Sequence, residues 1–150
     1  MTIRIPERVK QFIDAQRVAR LATVDSAGHP FVIPICYVRE ATFLYSAIDQ
    51  KPKRVAPRQL QRVRNIEGNP NVALLIDEYA DDWTDLAYVL IHGIAAILEP
   101  VGATAAEHAR AVAALRQKYP QYRAMDVVLN PVIRIEARRA RAWSADGRIR

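Results

Sequence analysis

The chain has 150 residues, a size that fits one domain and can bury a core of its own. Apolar residues make up 51%, yet no stretch approaches the ~20 uninterrupted apolar residues of a membrane span, and Met1-Thr2-Ile3-Arg4-Ile5-Pro6 lacks the apolar core of a secretion signal. The net charge of +6 has a single source: Lys51, Lys53, Arg54, Arg58, Arg62 and Arg64 fall between Gln50 and Ile66 with no acid among them, and the remainder is neutral. A nucleic-acid binder spreads its charge over a face that tracks many phosphates, so one dense cluster points instead to a pocket for one phosphorylated ligand. A solvated basic face is the alternative. The lone cysteine, Cys36, excludes an internal disulfide and fits a reducing cytoplasm. It lies in an apolar run, where a buried, inert thiol is expected.

Pro6 precedes Val9, Phe12 and Ile13, whose spacing predicts a helix over 6–16. A strand over 18–24 follows, then a turn at Asp25-Ser26-Ala27-Gly28-His29-Pro30, where Gly28 can take a positive φ. Residues 31–38 read as a second strand, and Pro34 within it calls for an unpaired side. A third strand over 43–48 completes a three-strand meander. Pro57 starts a helix on which Leu60, Val63 and Ile66 share one side and Arg58 and Arg62, four apart, share another; Asn69-Pro70 ends it. Residues 71–79 carry Val72-Ala73-Leu74-Leu75-Ile76, a run without polar alternation that predicts a strand covered on both faces. After a linker over 80–86, a long strand spans 87–98, with Gly93 at a bulge or corner. Thr104-Ala105-Ala106-Glu107 has the pattern of a capping box opening a helix that Pro120 stops, and 132–140 alternates as a last strand.

About six strands with peripheral helices make an α+β, mainly β domain. Strands that follow one another without helices between them favour a small closed barrel over a doubly wound sheet, because closure removes edges. Nothing in the chain divides it, so residues 1–150 form one domain.

The chemistry narrows by type. His29, His92 and His108 form no close pair, and with one cysteine there is no metal-ligand spacing, so no metal is expected. Their ordinary places are a turn, a strand and a helix surface. The five glycines form neither GxGxxG nor GxxxxGK[ST], and no serine stands in GxSxG. Asp77, Glu78, Asp81, Asp82 and Asp85 could hold a divalent cation, but a solvated loop is the simpler reading. Ser46 at a strand end, with Lys51, Lys53 and Arg54 after it and Arg58 and Arg62 on a helix, brings hydroxyl, ammonium and guanidinium groups to one strand–loop–helix junction. That combination suits a phosphate dianion.

Several residues taken together resemble a known family. Ala19-Arg20-Leu21-Ala22-Thr23-Val24-Asp25, then Gly28-His29-Pro30 and an apolar-proline strand, is similar to the start of the flavin-binding split-barrel superfamily of pyridoxamine-phosphate-oxidase-like proteins. Leu44-Tyr45-Ser46-Ala47, Asp49, Lys51-Pro52-Lys53, Arg64-Asn65-Ile66, Asn69-Pro70 and Val72-Ala73-Leu74-Leu75-Ile76-Asp77 look like its phosphate-binding strand, helix and next strand. Asp82-Trp83 and Gly93 resemble most the subgroup that uses the deazaflavin coenzyme F-420. The resemblance implies a six-stranded split β-barrel, the FMN-binding split barrel, in a cytoplasmic homodimer with cofactor sites at the interface. It implies a phosphate of FMN or F-420 on Ser46, Lys51, Lys53, Arg58 and Arg62, with the ring system along Val32, Ile33 and Pro34 and Trp83 close by. The activity it implies is hydride transfer between the cofactor and a small organic substrate, with no membrane or nucleic-acid partner and no catalytic side chain identified. A flavin or haem carrier without enzymatic activity is the alternative, and His29 or His92 would be the axial ligand of a haem. The C-terminal substrate residues of the longer classical pyridoxamine phosphate oxidases are not found here, so vitamin B6 oxidation is not expected.

Overall fold

The computed structural model describes residues 3–49 and 56–150. The N-terminal helix α1, Glu7–Ala15, buries Val9, Phe12 and Ile13, the face its spacing predicts. Strand β1, Ala19–Val24, turns through Gly28, at φ 86°, into β2, Pro30–Ile35. The expected single strand over 31–38 is two strands, because Cys36 and Tyr37 break it before β3, Val38–Glu40; β4 is Phe43–Ala47. Helix α2, Gln61–Gly68, leads to β5, Asn71–Glu78, and β6, Ala87–Leu98; helix α3, Ala105–Lys118, leads through short turns to β7, Val132–Ser144.

All seven strands join one sheet in the order β2-β1-β5-β6-β7-β4-β3. This corrects two expectations. The first strands form no three-strand meander, since β4 pairs with β7 and not with β2. Nor is the sheet a six-stranded closed barrel: its order ends on β2 and β3, which are not hydrogen-bonded to one another. Pro30 and Pro34 have no N–H to offer a further strand, so β2 is suited to be an edge, as Pro34 predicts. Seven flat strands would set the two edges about 29 Å apart, whereas the three Cα steps from Ile35 to Val38 reach at most about 11 Å. The sheet must therefore curl until its open edges approach, and Cys36-Tyr37 is the bridge between them.

The main core lies on one side of the sheet, with Leu21, Leu74, Ile76, Val89, Ile91, Ile133 and Ile135 buried beneath Ile13 of α1 and Val63 of α2. A second cluster sits under α3, where Ala111, Val112 and Leu115 meet Tyr45, Leu98, Tyr119 and Tyr122. Strand β5 is not covered on both faces as its unbroken apolar run predicts. Its burial alternates and Leu75 is exposed; on the neighbouring β6, Tyr88 meets Trp143 of β7 with ring centroids 5.8 Å apart. The bulge expected at Gly93 is present: the β6–β7 register shifts between His92 and Gly93.

Three local expectations fail for local reasons. The helix from Pro57 is interrupted at Leu60, whose extended backbone separates a 3-10 turn, Pro57–Gln59, from α2 and lets its side chain pack on the core. No capping box forms at α3, because the Thr104 hydroxyl bonds the Glu99 backbone and Glu107 turns to the Tyr45 hydroxyl and Arg134. His108 lies inside rather than on the helix surface, with Nε2 2.7 Å from the Asn130 carbonyl. Among the described residues no helix is long and apolar enough to cross a membrane, and no cluster of His, Cys, Asp or Glu could hold a metal ion. Only part of the acidic stretch is a solvated loop: Asp77 and Glu78 end β5 and pair with Arg20 and Arg148, while Asp81, Asp82 and Asp85 are exposed in the connection after it, where Asp82 accepts from the Thr84 N–H.

Candidate functional site

A cleft of about 390 Å³ opens at the seam between the two sheet edges. One wall is the end of β2 and the bridge after it, Ile33 to Cys36; the other is Ser46, Ala47 and Asp49 at the end of β4; Arg62 closes the base from α2. A larger hollow beside the N-terminus, lined by Ile3 to Lys10 with Ala41 and Thr42, gathers no comparable set of groups.

The fold places each wall. Strand β4 is held by β7 with Ser46 opposite Ile133, which leaves the Ser46 hydroxyl buried at the cleft. Helix α2 docks through Val63 and Ile66, and Asn65 Nδ2 donates to the Thr23 hydroxyl of β1 at 3.0 Å. That fixes the rotation of the helix, and Arg62, one residue before the buried face, is carried to the edge of the cleft. The bridge is pinned from behind: the Tyr37 N–H donates to the Tyr119 hydroxyl at 3.0 Å, that hydroxyl lies 3.0 Å from the Tyr37 carbonyl, and the Tyr37 hydroxyl donates to the Ile13 carbonyl.

The positive charge in the cleft is that of Arg62, beside the acid Asp49. Burial pushes the Arg62 pKa down, while Asp49 and Tyr122 act to hold it up. Its Nε is buried and, among the described residues, has no hydrogen-bond partner. A buried guanidinium donor without an acceptor costs free energy, so the site suits an anionic oxygen. Asp49 is itself buried, and the Tyr122 hydroxyl donates to its Oδ2 at 3.3 Å.

Of the residues assigned from sequence, the structure brings Ser46, Arg62, Ile33 and Pro34 to one cleft. Val32 is exposed on the same edge strand, and Trp83 is exposed on the β5–β6 connection and does not line the cleft. Arg58 does not join Arg62, because the break at Leu60 separates them; its guanidinium pairs with Glu99. Lys51 and Lys53 lie outside the described residues. Cys36 is not the fully buried thiol expected; it is half-buried and lines the cleft. Asp49 and Tyr122 had no assigned role. Asp49 carries a signal nonetheless: it is the sole acid between Glu40 and Glu67, at the head of the basic window. Tyr122 carries none, being 73 residues from the carboxylate it meets.

Behind the bridge, Lys118 Nζ is buried with no hydrogen-bond partner among the described residues, 4.0 Å from the Tyr37 ring centroid and 5.4 Å from that of Tyr119. Burial, with Arg17 alongside, lowers its pKa to about 8 from 10.5, outweighing the opposite pull of Asp14 and Cys36. In the unfolded chain Lys118 keeps its proton to the higher value, so between these two pH values the unfolded state binds more protons and stability rises with pH. Denaturant titrations at pH 8 and pH 10 should show the wild type gaining relative to Lys118→Met. Equal pH dependence in both proteins would assign the effect elsewhere.

A family model described as pyridoxamine 5'-phosphate oxidase matches residues 5–144. The chain therefore belongs to the pyridoxamine 5'-phosphate oxidase family. Solved structures share the fold: a conserved hypothetical protein from Mycobacterium tuberculosis is 22% identical with a TM-score of 0.73, over 96% of this chain and 87% of that one. HutZ, the heme storage protein from Vibrio cholerae, is 17% identical with a TM-score of 0.71, over 95% of each chain. A FAD-binding protein from Mesorhizobium loti is 19% identical with a TM-score of 0.62, over 88% of this chain and 87% of that one. No curated protein matches the chain in sequence.

Proposed function

We propose that this protein binds a phosphorylated flavin-type cofactor, FMN or the deazaflavin coenzyme F-420, in the cleft at the seam of its sheet, and serves as a cofactor-binding or carrier protein. The buried Nε of Arg62, which has no hydrogen-bond partner among the described residues and lines the same cleft as the Ser46 hydroxyl, carries this reading. Arg62 and Ser46 hold the phosphate, with Lys51 and Lys53 supplying charge from the segment that follows β4. Ile33 and Pro34, with Val32 beyond them, offer an apolar edge for the ring system. Arg58, engaged by Glu99, and Trp83, outside the lining, take no part. A haem wants an axial ligand. His29 is bonded to Asp25 in the outer turn, His92 stands opposite Arg139 and His108 is tied to Asn130, so the lining favours a flavin over a haem.

The second reading is an oxidoreductase acting on a small organic substrate, favoured by membership of an oxidase family. A bound flavin would supply hydride chemistry, while the chain's residues grip, orient and exclude water. Two copies per functional unit fit the exposed Leu75 and Trp143 with Tyr88 between them, an apolar area on the outer sheet face.

Titration of the purified protein with FMN, F-420 and haem, followed by absorbance, tests both readings. Saturable flavin binding without a haem spectrum is the expected result, and no flavin binding would overturn the proposal. Turnover of the bound flavin on adding a reductant and a substrate would move the reading to the oxidoreductase. Light scattering of the same sample should give a dimer; a stable monomer at micromolar concentration would remove that part.

A further inference from the structure

We infer that the connection from α3 to β7, residues 119–130, is a clasp that holds the two walls of the cleft at a set spacing, with Tyr119 and Asn130 as its positioning residues. The inference rests on the ligand-binding reading of that cleft. The sheet does not fix the spacing itself. Strand β2 pairs with β1, β4 pairs with β3 and β7, and the β3–β4 ladder stops at Val38 opposite Tyr45. Among the described residues, then, no ladder joins wall to wall.

Side chains of the connection reach both walls. On the β2 side, the Tyr119 hydroxyl accepts from the Tyr37 N–H at 3.0 Å, directly after Cys36 of the lining. Its single proton goes to the carbonyl of Tyr37, at 3.0 Å, or to that of Arg17, at 2.9 Å, just ahead of β1. On the β4 side, Asn130 Nδ2 donates to the Ile48 carbonyl at 2.9 Å, and the Tyr122 hydroxyl donates to Asp49 Oδ2 at 3.3 Å. Ile48 stands between Ala47 and Asp49, both of which line the cleft. The connection is in turn fixed to α3. Arg116 donates from Nε to the Tyr122 carbonyl at 3.1 Å and from Nη2 to the Met125 carbonyl at 3.0 Å, and His108 Nε2 lies 2.7 Å from the Asn130 carbonyl. Tyr119 and Tyr122 are buried against one another, with ring centroids 5.6 Å apart. One anchored segment thus grips the bridge at its start and the end of β4 at its finish. A slot whose width is set before the ligand arrives costs less to fill than one the ligand must order.

Tyr119→Phe releases the bridge and keeps the ring, and Asn130→Ala releases the end of β4. Fluorescence titration of each variant should show FMN and riboflavin weakened by the same factor, about five- to tenfold, because the slot is affected and the phosphate grip is not. Cys36, the lone thiol, reports on the protein without ligand: its reaction with a soluble aromatic disulfide should speed up about fivefold in both variants. Asn130→Ala is the sharper case, because Asn130 holds the wall to which Cys36 does not belong. Gly93→Ala, whose Cβ would meet the Glu136 carbonyl oxygen away from the lining, controls for lost stability. It should leave both affinities and the Cys36 rate within about twofold of wild type. A Cys36 rate unchanged in Asn130→Ala would overturn the clasp, as would a loss confined to FMN or one that Gly93→Ala reproduces. Wild type that binds neither flavin, with the Cys36 changes present, would overturn the ligand reading and leave the clasp standing.

Discussion

Arg62→Ala should cost FMN about ten- to a hundredfold in affinity while leaving riboflavin close to wild type, because one charge-assisted hydrogen bond contributes on the order of 1.5–3 kcal/mol. The selectivity matters more than the size. The two ligands share their ring and ribityl chain, so only a group that meets the phosphate can separate them. Lys53→Ala should act in the same direction if that lysine reaches the same phosphate. Arg58→Ala should do much less, since its guanidinium is paired with Glu99, and Arg138→Ala, paired with Glu136 on the exposed side, should do nothing. Equal losses for FMN and riboflavin in Arg62→Ala would mean that the side chain supports the wall rather than the ligand. No loss for either would place the cofactor elsewhere.

Gly93→Ala should be the most damaging single methyl in the sheet. A Cβ built there lies 2.6 Å from the Glu136 carbonyl oxygen and 2.9 Å from Ile135 Cγ2, and the first of these belongs to the backbone of β7 and cannot swing away. Overpacking of this kind costs about 1–3 kcal/mol. For a chain of this size that corresponds to a fall in Tm of about 3–10 °C. Gly68→Ala is the control: a Cβ at that position meets nothing within 4 Å, and the residue ends a helix, where alanine is the better former. Thermal unfolding of the two variants should differ in size and in sign. A Gly93→Ala protein as stable as Gly68→Ala would show that the bulge in β7 can open without cost.

Much of the chain declares its local structure. Strand β6 runs from Ala87 to Leu98 as its pattern says, α1 buries the three residues that its spacing picks out, and Gly28 takes the positive φ its turn requires. Periodicity reports which face of an element is covered; it does not report by what. The strand order therefore stayed out of reach, because the partner of β4 is β7, with Ala47 opposite Val132, and nothing near either strand names the other. The uninterrupted run Val72–Ile76 reads as doubly covered, yet its Leu75 belongs to an outer face left open in the chain. At the cleft, residue type pointed to Arg62 and Ser46, and the structure brings both into one lining. Arg58 has the same credentials and was separated by a single extended residue, Leu60, that helical spacing cannot reveal. Tyr122 meets Asp49 only through the path of the chain after α3.

The pairing of β4 with β7 also orders events during synthesis. The hairpin of β1 and β2 forms from adjacent residues, so the apolar wall can be present early. The opposite wall cannot. Ser46 and Ala47 have their ladder partners at Ile133 and Val132, and the Tyr122 that meets Asp49 is likewise a late residue. A nascent chain emerging from the ribosome thus carries the basic segment long before it has a second wall to hold a ligand against. The cleft is complete only once residues 132–133 have been made and β7 has paired with β4.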